Sequence, residues 1–347
     1  MVELAQADRR YYLKESVRES YLENYLYRLD PSNDSTFFAL GCSAELSPEE
    51  IDKTTRFIRN NFQVEYGREY GGFRLSRMVD SPITVSSTFY ALKVAETLGR
   101  LDTVADPAVV KHVTAFVAAN ADESGFKEWR YGKIPTMEAT IRAFEIGEMF
   151  GKVDEEHSPV AQLEAVSNFL LGRLDERSLY YNAMVTVFLD KHGLVDGDRL
   201  QRIADLLELS EGVDVTVGKD PEKYSGVFVD QLQEEVTTFS TISAIRLLRV
   251  LDKHSVDTRR PNLEGLLEFV LATHDSDTGG FSWGPIDAPN IDATYDMREI
   301  LEYLSDAEAI DPKLHGDLLS GINRFAANLR DHSGGYRHML DQVRVRQ

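Results

Sequence analysis

Three carboxylates recur at one position of a repeated pattern, since Asp34, Glu138 and Asp292 each lie two residues before a threonine. Two carboxylates held close together raise the pKa of one of them, which keeps a proton available for acid catalysis. The alternative is that each carboxylate lies at a helix start, where it interacts with the helix dipole; residues 32–36 read well as a helix cap. The residue types predict either an acid site at Asp292, with Asp34 and Glu138 as further catalytic carboxylates, or a set of helix caps.

Aromatic residues accompany the same threonines. Rings of this kind stabilise a carbocation or line a pocket for a prenyl chain, and they equally suit an aromatic core layer. The rings in question are Phe37, Phe38, Phe89, Tyr90, Tyr180, Tyr181, Phe239 and Tyr295. Trp283 joins them two residues after a Gly-Gly-Phe sequence.

Basic residues cluster in the two loops that precede the second and third of these segments. They are Arg74, Arg77, Lys127, Arg130 and Lys133. Guanidinium and ammonium groups beside helix N-termini are suited to hold a diphosphate. The alternative is that they are solvated loop side chains.

A long internal repeat must position these residues. Six segments of about 14 residues carry apolar residues at helical spacing. When the segments are aligned, one position near the start of each holds a threonine, or once an asparagine, and we call this residue the anchor. The anchors are Thr36, Thr88, Thr140, Asn182, Thr238 and Thr294.

Second helical segments alternate with the anchored ones. They are predicted at residues 48–61, 107–120, 159–174, 198–209, 262–273 and 311–329, and several begin with proline or an Asx residue. Gly-Gly-aromatic or Ser-Gly-Phe turns at residues 71–73, 124–126 and 279–281 precede an anchor by 15 to 17 residues. A last one at residues 334–336 has no anchored segment after it, and the segment at Thr36 has no such turn before it. The simplest interpretation is a ring of helix pairs closed by the two half-repeats, an all-α (α/α)6 barrel with six inner and six outer helices; an open solenoid is the alternative.

The motif resembles the repeat of protein prenyltransferase β subunits and of squalene and class II terpene cyclases. The residues that carry the resemblance are Gly279-Gly280-Phe281-Ser282-Trp283, Gly71-Gly72-Phe73 and Ser87-Thr88-Phe89-Tyr90-Ala91-Leu92, and it spans about residues 30–340. It implies that the anchored helices form a parallel inner ring around an aromatic-lined cavity, which opens at their N-terminal ends.

The resemblance also implies where catalytic groups would lie. Prenyltransferase β subunits bind zinc through Asp, Cys and His, but Ser86 and Ala293 occupy the Cys and His positions here, so no zinc is expected. Class II cyclases carry Asp-x-Asp-Asp-Thr, and the matching residues 290–294 retain the middle aspartate, Asp292, and the threonine. The resemblance assigns the proton donor to Asp292, while Asn290 and Ala293 depart from the motif.

Composition restricts the remaining possibilities. The chain has 347 residues, a formal charge of −20 and a single cysteine, Cys42. The acidity argues against nucleic-acid binding, one thiol excludes an internal disulfide, and no secretory signal or membrane-spanning segment is apparent. We expect a cytoplasmic protein with a helix in residues 1–30 that packs on a single barrel domain, residues 31–347.

These observations favour a terpene-cyclase-like enzyme that acts on a prenyl diphosphate or a related isoprenoid. The reaction would be an acid-initiated carbocation cyclisation, and Mg²⁺ is expected only if the substrate is a diphosphate. One alternative is a barrel that binds an isoprenoid or a protein without catalysis. Another is a carbohydrate-active (α/α)6 enzyme that uses Asp34, Glu138 and Asp292 as its acid and base.

Overall fold

The computed structural model describes residues 30–43, 45–65, 68, 70–77, 81–122, 125–129, 131–151, 163–174, 177–210, 226–230, 235–284 and 287–340. Within these ranges the chain forms thirteen helices and three short two-stranded sheets. The expectation of an all-α class is therefore confirmed. The helix predicted in residues 1–30 lies outside the described residues, which begin at residue 30.

Six helices carry the anchors and face inward. They are α1 (Asn33–Cys42), α3 (Val85–Thr97), α6 (Met137–Gly151), α8 (Leu179–Lys191), α10 (Thr238–Lys253) and α12 (Ile291–Asp306).

Six outer helices alternate with them, and their bounds agree closely with the sequence prediction, although residues 159–162 at the predicted start of the third lie outside the described residues. They are α2 (Pro48–Asn60), α5 (Pro107–Asn120), α7 (Leu163–Arg173), α9 (Gly197–Ser210), α11 (Leu263–Thr273) and α13 (Pro312–Asn328), with a single-turn α4 (Leu101–Val104) after α3.

The helix starts explain why the boundaries were predictable. Proline occupies a first-turn position of α5, where its missing N–H costs nothing. Asp106 before it accepts hydrogen bonds from the backbone N–H groups of Ala108 and Val109, both at 3.0 Å. The inner helices begin with hydroxyl or amide caps instead, such as Thr84, which accepts from Ser87 N–H at 2.9 Å.

The short strands lie in the turns between outer and inner helices. β1 (Phe62–Val64) pairs antiparallel with β2 (Gly71–Phe73), β3 (Ala121–Asp122) with β4 (Gly125–Phe126), and β5 (Val229–Asp230) with β6 (Glu235–Val236). Each pairing brings an aromatic turn residue back over the start of an inner helix.

One hydrogen bond recurs at these turns and accounts for the anchor threonine. The backbone N–H of Phe73 donates to Thr88 Oγ at 3.1 Å, and the N–H of Phe281 donates to Thr294 Oγ at 2.9 Å. The same bond joins Phe126 to Thr140, and Phe228 to Thr241. All four threonines are buried, so each hydroxyl satisfies a backbone donor that water does not reach.

The fifth anchor is a correction to the sequence reading, because it is Thr241 and not Thr238. Thr238 is the first residue of α10, whereas Thr241 lies four residues after the cap Thr237, as every other anchor lies four residues after its cap. The corresponding turn, residues 226–228, was also missed, because its sequence Gly-Val-Phe lacks the second glycine. The correction changes which residue of this helix faces inward.

The paired glycines serve two different purposes. Gly279 adopts φ +83°, a left-handed conformation that favours glycine. Gly280 lies against the ring of Phe325 in α13, and a Cβ at this position would come within 2.6 Å of that ring. The pair therefore lets the turn reverse and lets α13 approach it.

The inner helices contact one another in chain order, and α12 contacts α1. The C-terminal turn lies across this seam. Tyr336 N–H donates to Thr36 Oγ at 3.0 Å, Ser32 N–H donates to the Tyr336 carbonyl at 3.1 Å, and Thr54 Oγ donates to the Gly334 carbonyl at 2.8 Å. The last turn thus donates to the anchor of the first inner helix the same hydrogen bond that the other turns donate to the anchors of the helices that follow them.

Replacing Thr36 by valine tests this seam. The substitution preserves shape but leaves the buried N–H of Tyr336 without its acceptor, so we expect the free energy of unfolding to fall by about 1–3 kcal/mol. Urea unfolding followed by circular dichroism measures the change. Thr97→Val is the matched control, because Thr97 is exposed at the end of α3, and equal stabilities of the two variants would contradict the role of the anchor.

Candidate functional site

A cavity of about 1070 Å³ lies between the inner helices of the described chain. All six inner helices contribute to its wall. The innermost positions follow the helical repeat, because residues four apart share a face. Two residues before each anchor the wall carries Asp34, Ser86, Glu138, Tyr180, Phe239 and Asp292, and two residues after each anchor it carries Phe38, Tyr90, Arg142, Met184, Ser243 and Asp296.

The three carboxylates predicted to be catalytic all line this cavity. Asp34 and Asp292 belong to the neighbouring helices α1 and α12, and Glu138 belongs to α6. The cap of α12 is Asn290, whose side chain accepts from Ala293 N–H at 2.9 Å. Asp292 is therefore not the cap of its own helix.

Asp34 has a dual environment. Burial, and then the nearby Asp292 carboxylate, raise its pKa above the usual value, while hydrogen bonds from Ser32 and from the Ser35 backbone oppose the shift. The Ser35 N–H donates to Asp34 Oδ1 at 2.7 Å, and Ser32 Oγ donates to the same oxygen. Asp34 thus accepts hydrogen bonds at the start of its helix, as the helix-cap interpretation expected, and it also lines the cavity.

Asp292 faces a histidine that the sequence did not single out as functional. Nδ1 of His338, just after the C-terminal turn, lies 3.3 Å from Asp292 Oδ1. The geometry is not that of a hydrogen bond, and this buried oxygen has no hydrogen-bond partner within the described residues. The electrostatic neighbours of Asp34 include both Asp292, which raises its pKa, and His338, which lowers it.

A further carboxylate, Asp296, lies one turn deeper in α12 and was not predicted. Burial raises its pKa to about 7, with Asp292 and Glu299 adding to the shift and Arg246 opposing it. Arg246 of α10 contacts Asp296 at 3.0 Å and Glu299 at 2.9 Å, so its charge is neutralised within the wall. The sequence signal was available, because Asp296 follows Asp292 by four residues and therefore shares its face of the helix.

The aromatic residues form two groups on the wall. Phe37, Phe38, Tyr90 and Tyr295 contact one another with ring centroids 5.3–5.9 Å apart. Phe89 contacts Tyr90 at 5.3 Å.

The second group lies across α8 and α10, where Tyr180 contacts Phe239 at 4.6 Å and Phe239 contacts Trp283 at 5.8 Å. Tyr181 packs on Tyr180 but does not line the cavity. Phe239 is innermost because the anchor of α10 is Thr241, and eight of the nine predicted rings therefore line the cavity.

The predicted basic residues lie elsewhere. Lys127 pairs with Asp122 at 3.3 Å, Arg77 lies over the Phe57 ring, Lys133 is exposed, and none of these three, nor Arg74, lines the cavity. Arg130 lies outside the described residues. The same loops reach the cavity wall through Leu75 and Glu128 instead.

The cations that do line the cavity are Arg142, Lys191 and Arg246, against six carboxylates: Asp34, Glu128, Glu138, Glu145, Asp292 and Asp296. Lys191 is paired with Glu145 and Glu148 at 3.3 and 2.6 Å. The wall is therefore net acidic, which opposes a polyanionic ligand.

Neither a metal cluster nor a membrane span is visible in the part of the chain that the structure describes. No group of three or more His, Cys, Asp or Glu side chains is placed there to hold a metal ion. No helix in the same ranges is long and apolar enough to cross a membrane.

Comparison with known proteins supports the fold. No family model and no curated protein matches the sequence. The chain is similar in structure to Candida albicans protein geranylgeranyltransferase-I complexed with GGPP, at a TM-score of 0.62 and 15% identity, over 90% of this chain and 94% of that one. The chain therefore has the α–α barrel architecture of a protein prenyltransferase β subunit, and at this identity the likeness shows the fold alone.

The raised pKa of Asp296 predicts a pH-dependent stability. The unfolded chain loses this proton near pH 4 and the folded chain near pH 7, so the folded state binds more protons between these values and loses stability as pH rises through them. Asp296→Asn removes the titration, so the stability of this variant relative to the wild type should rise from pH 4.5 to 7.5. Urea unfolding at each pH measures the difference. Asp306→Asn, at the exposed end of the same helix, is the control, and a pH-independent difference for Asp296→Asn would contradict the shifted pKa.

Proposed function

We propose that the protein is an isoprenoid-converting enzyme that starts a carbocation cyclisation by protonating an alkene. The observation that carries the proposal is the combination, in one cavity, of interacting carboxylates at one seam with aromatic rings on the adjoining walls. A carboxylic acid supplies the proton, and ring faces stabilise the cation that forms.

Asp292 is the proposed donor, with Asp34 coupled to it. Burial and the nearby Asp292 carboxylate raise the pKa of Asp34, so this seam favours a protonated carboxyl. The proton passes from the carboxyl oxygen to an alkene carbon, and the π electrons form the new C–H bond and leave a cation on the neighbouring carbon. A later deprotonation, or capture by water, ends the reaction. His338 is placed to restore the proton to Asp292.

The proposal favours an uncharged isoprenoid chain inside the cavity. The carboxylates on the wall outnumber the cations, and two of the three cations already have carboxylate partners. A diphosphate would need Mg²⁺ to offset its charge. The wall also argues against a carbohydrate. Sugar-binding grooves stack their ligand on several tryptophans, and only Trp283 of the two tryptophans in the chain lines this cavity.

We also propose that the six helix pairs form a closed ring. The contacts between α12 and α1, and the hydrogen bonds of Tyr336 and Gly334 to the first helix pair, support this. Closure matters for function because it brings Asp34 and Asp292 together from residues 258 positions apart.

A binding protein without catalysis is the second candidate. The observation that favours it is the hydrogen bonding of Asp34 to Ser32 and to the Ser35 N–H, which stabilises a carboxylate and not an acid. In that case the cavity would hold an isoprenoid unchanged.

Isotope labelling distinguishes these functions. Purified protein is incubated in D2O with C15 to C30 polyenes, the corresponding alcohols and diphosphates, with and without Mg²⁺, and extracts are analysed by mass spectrometry. Protonation by an exchanged carboxyl places one deuterium in a cyclic product at a former alkene carbon. Asp292→Asn should lower product formation at least 100-fold, and Asp306→Asn should leave it unchanged.

Other outcomes have defined meanings. A product without deuterium, together with released diphosphate, would replace acid initiation by ionisation of the substrate. Tight binding with no product in any incubation would establish the non-catalytic candidate.

A further inference from the structure

Arg142 is the cation of the cavity wall that makes no ion pair within the described residues. It lies on α6, two residues after the anchor Thr140, and faces inward. Its hydrogen bonds within the described residues go to neutral groups of α3, the Ser86 hydroxyl and, at 3.3 Å, the Tyr90 hydroxyl. The guanidinium also lies over the Tyr90 ring, 5.2 Å from its centroid. Arg246, by contrast, has two carboxylates in contact.

The hydrogen bonds around Arg142 leave donors facing the cavity. A guanidinium has five N–H donors and no acceptor. Ser86 and Tyr90 each use an oxygen lone pair to accept from it, so their own O–H groups remain as donors. Burial raises the pKa of Tyr90 to about 12, so its hydroxyl stays protonated. Three donor groups therefore converge at one place on the wall, and their natural partner is a group that only accepts.

The charge of the surroundings decides what kind of acceptor fits. Burial disfavours the charged form of Arg142, but Tyr90, Tyr180, Glu128 and Glu138 act against this and its pKa is raised. Glu128 and Glu138 lie beyond ion-pair distance and line the cavity beside it. An added anion would meet their repulsion as well as the attraction of Arg142, whereas a neutral carbonyl oxygen uses all three donors without that cost.

We infer that Arg142, Ser86 and Tyr90 form a subsite for the carbonyl oxygen of an uncharged, oxygenated isoprenoid. The inference rests on the proposed function, since it gives the substrate class for the same cavity. Arg142 on α6 would hold the oxygenated end, and the remaining chain would extend along the rings of Phe37 and Tyr295 towards the carboxylates of α1 and α12.

Binding measurements test this subsite. Dissociation constants are determined by quenching of tryptophan fluorescence, since Trp283 lines the cavity, for farnesylacetone, for the hydrocarbon in which a methylidene group replaces its carbonyl oxygen, and for farnesoic acid. The wild type should bind the ketone about 10- to 100-fold more tightly than the hydrocarbon. Arg142→Met should abolish that preference and leave hydrocarbon affinity within about threefold.

Ser243→Ala is the matched control, because Ser243 occupies the same position of its repeat and lines the same cavity, while its hydroxyl donates to the Phe239 carbonyl at 2.8 Å. It should retain the preference. Infrared spectra of the bound ¹³C-labelled ketone add a readout that a merely structural role would not move, since the carbonyl stretch should shift to lower frequency in the wild type and not in Arg142→Met. If Arg142→Met fails to fold, Ser86→Ala and Tyr90→Phe each remove one donor, and each should weaken the preference.

The outcomes separate this inference from the proposed function. Equal affinity for ketone and hydrocarbon, or a preference that survives Arg142→Met, would overturn the subsite and leave the isoprenoid cavity in place. Tighter binding of farnesoic acid than of the ketone would overturn the neutral class in favour of an anion. Failure of the wild type to bind all three ligands would overturn both the subsite and the isoprenoid function.

Discussion

The structure depends on a hydrogen bond from a buried turn amide to the side chain of a threonine in the first turn of an inner helix. It fixes the turn, and therefore the outer helix before it, to the inner helix that follows. It also fixes the rotation of each inner helix, because the threonine must face its turn. The residues two before and two after it then face the centre, which is why one repeated position carries Asp34, Glu138 and Asp292. A turn with no threonine beneath it would bury an unsatisfied donor.

Two polar regions of the cavity wall differ in their chemistry. Asp34, Asp292 and Asp296 gather where α12 meets α1 and α10, and there burial and mutual repulsion raise the pKa values of Asp34 and Asp296. The hydrogen-bond donors of Arg142 and its neighbours gather where α3 meets α6, with Glu128 and Glu138 beside them. Rings occupy the wall between them. A ligand bound along this axis would have an acidic group at one end and hydrogen-bond donors at the other, which gives the cavity a direction that its shape alone would not supply.

Much of this arrangement was predictable because it is periodic. Helix caps and prolines set the outer helices within a few residues, and the spacing of anchor threonines placed most of the inward-facing aromatic residues. The fifth register was misread because Thr238 and Thr241 both precede an apolar helix, and only the hydrogen bond to Phe228 distinguishes them. Asp296 could have been found from its spacing to Asp292, but Arg142 and His338 were missed because each is an ordinary charged or titratable residue in sequence. Their importance comes from partners 56 and 46 residues away that only the fold brings close.

The seam at Tyr336 also constrains how the protein is made. The anchor of the first inner helix, Thr36, accepts its hydrogen bond from Tyr336, 300 residues later in the chain. The histidine beside Asp292, His338, comes from the same segment. During synthesis the chain is made from its N-terminus at about 5–20 residues per second, so Thr36 is made well before the amide of Tyr336 that it binds 300 residues later. A chain that stops before Tyr336 therefore lacks the donor for Thr36, and it also lacks the histidine that lies beside Asp292.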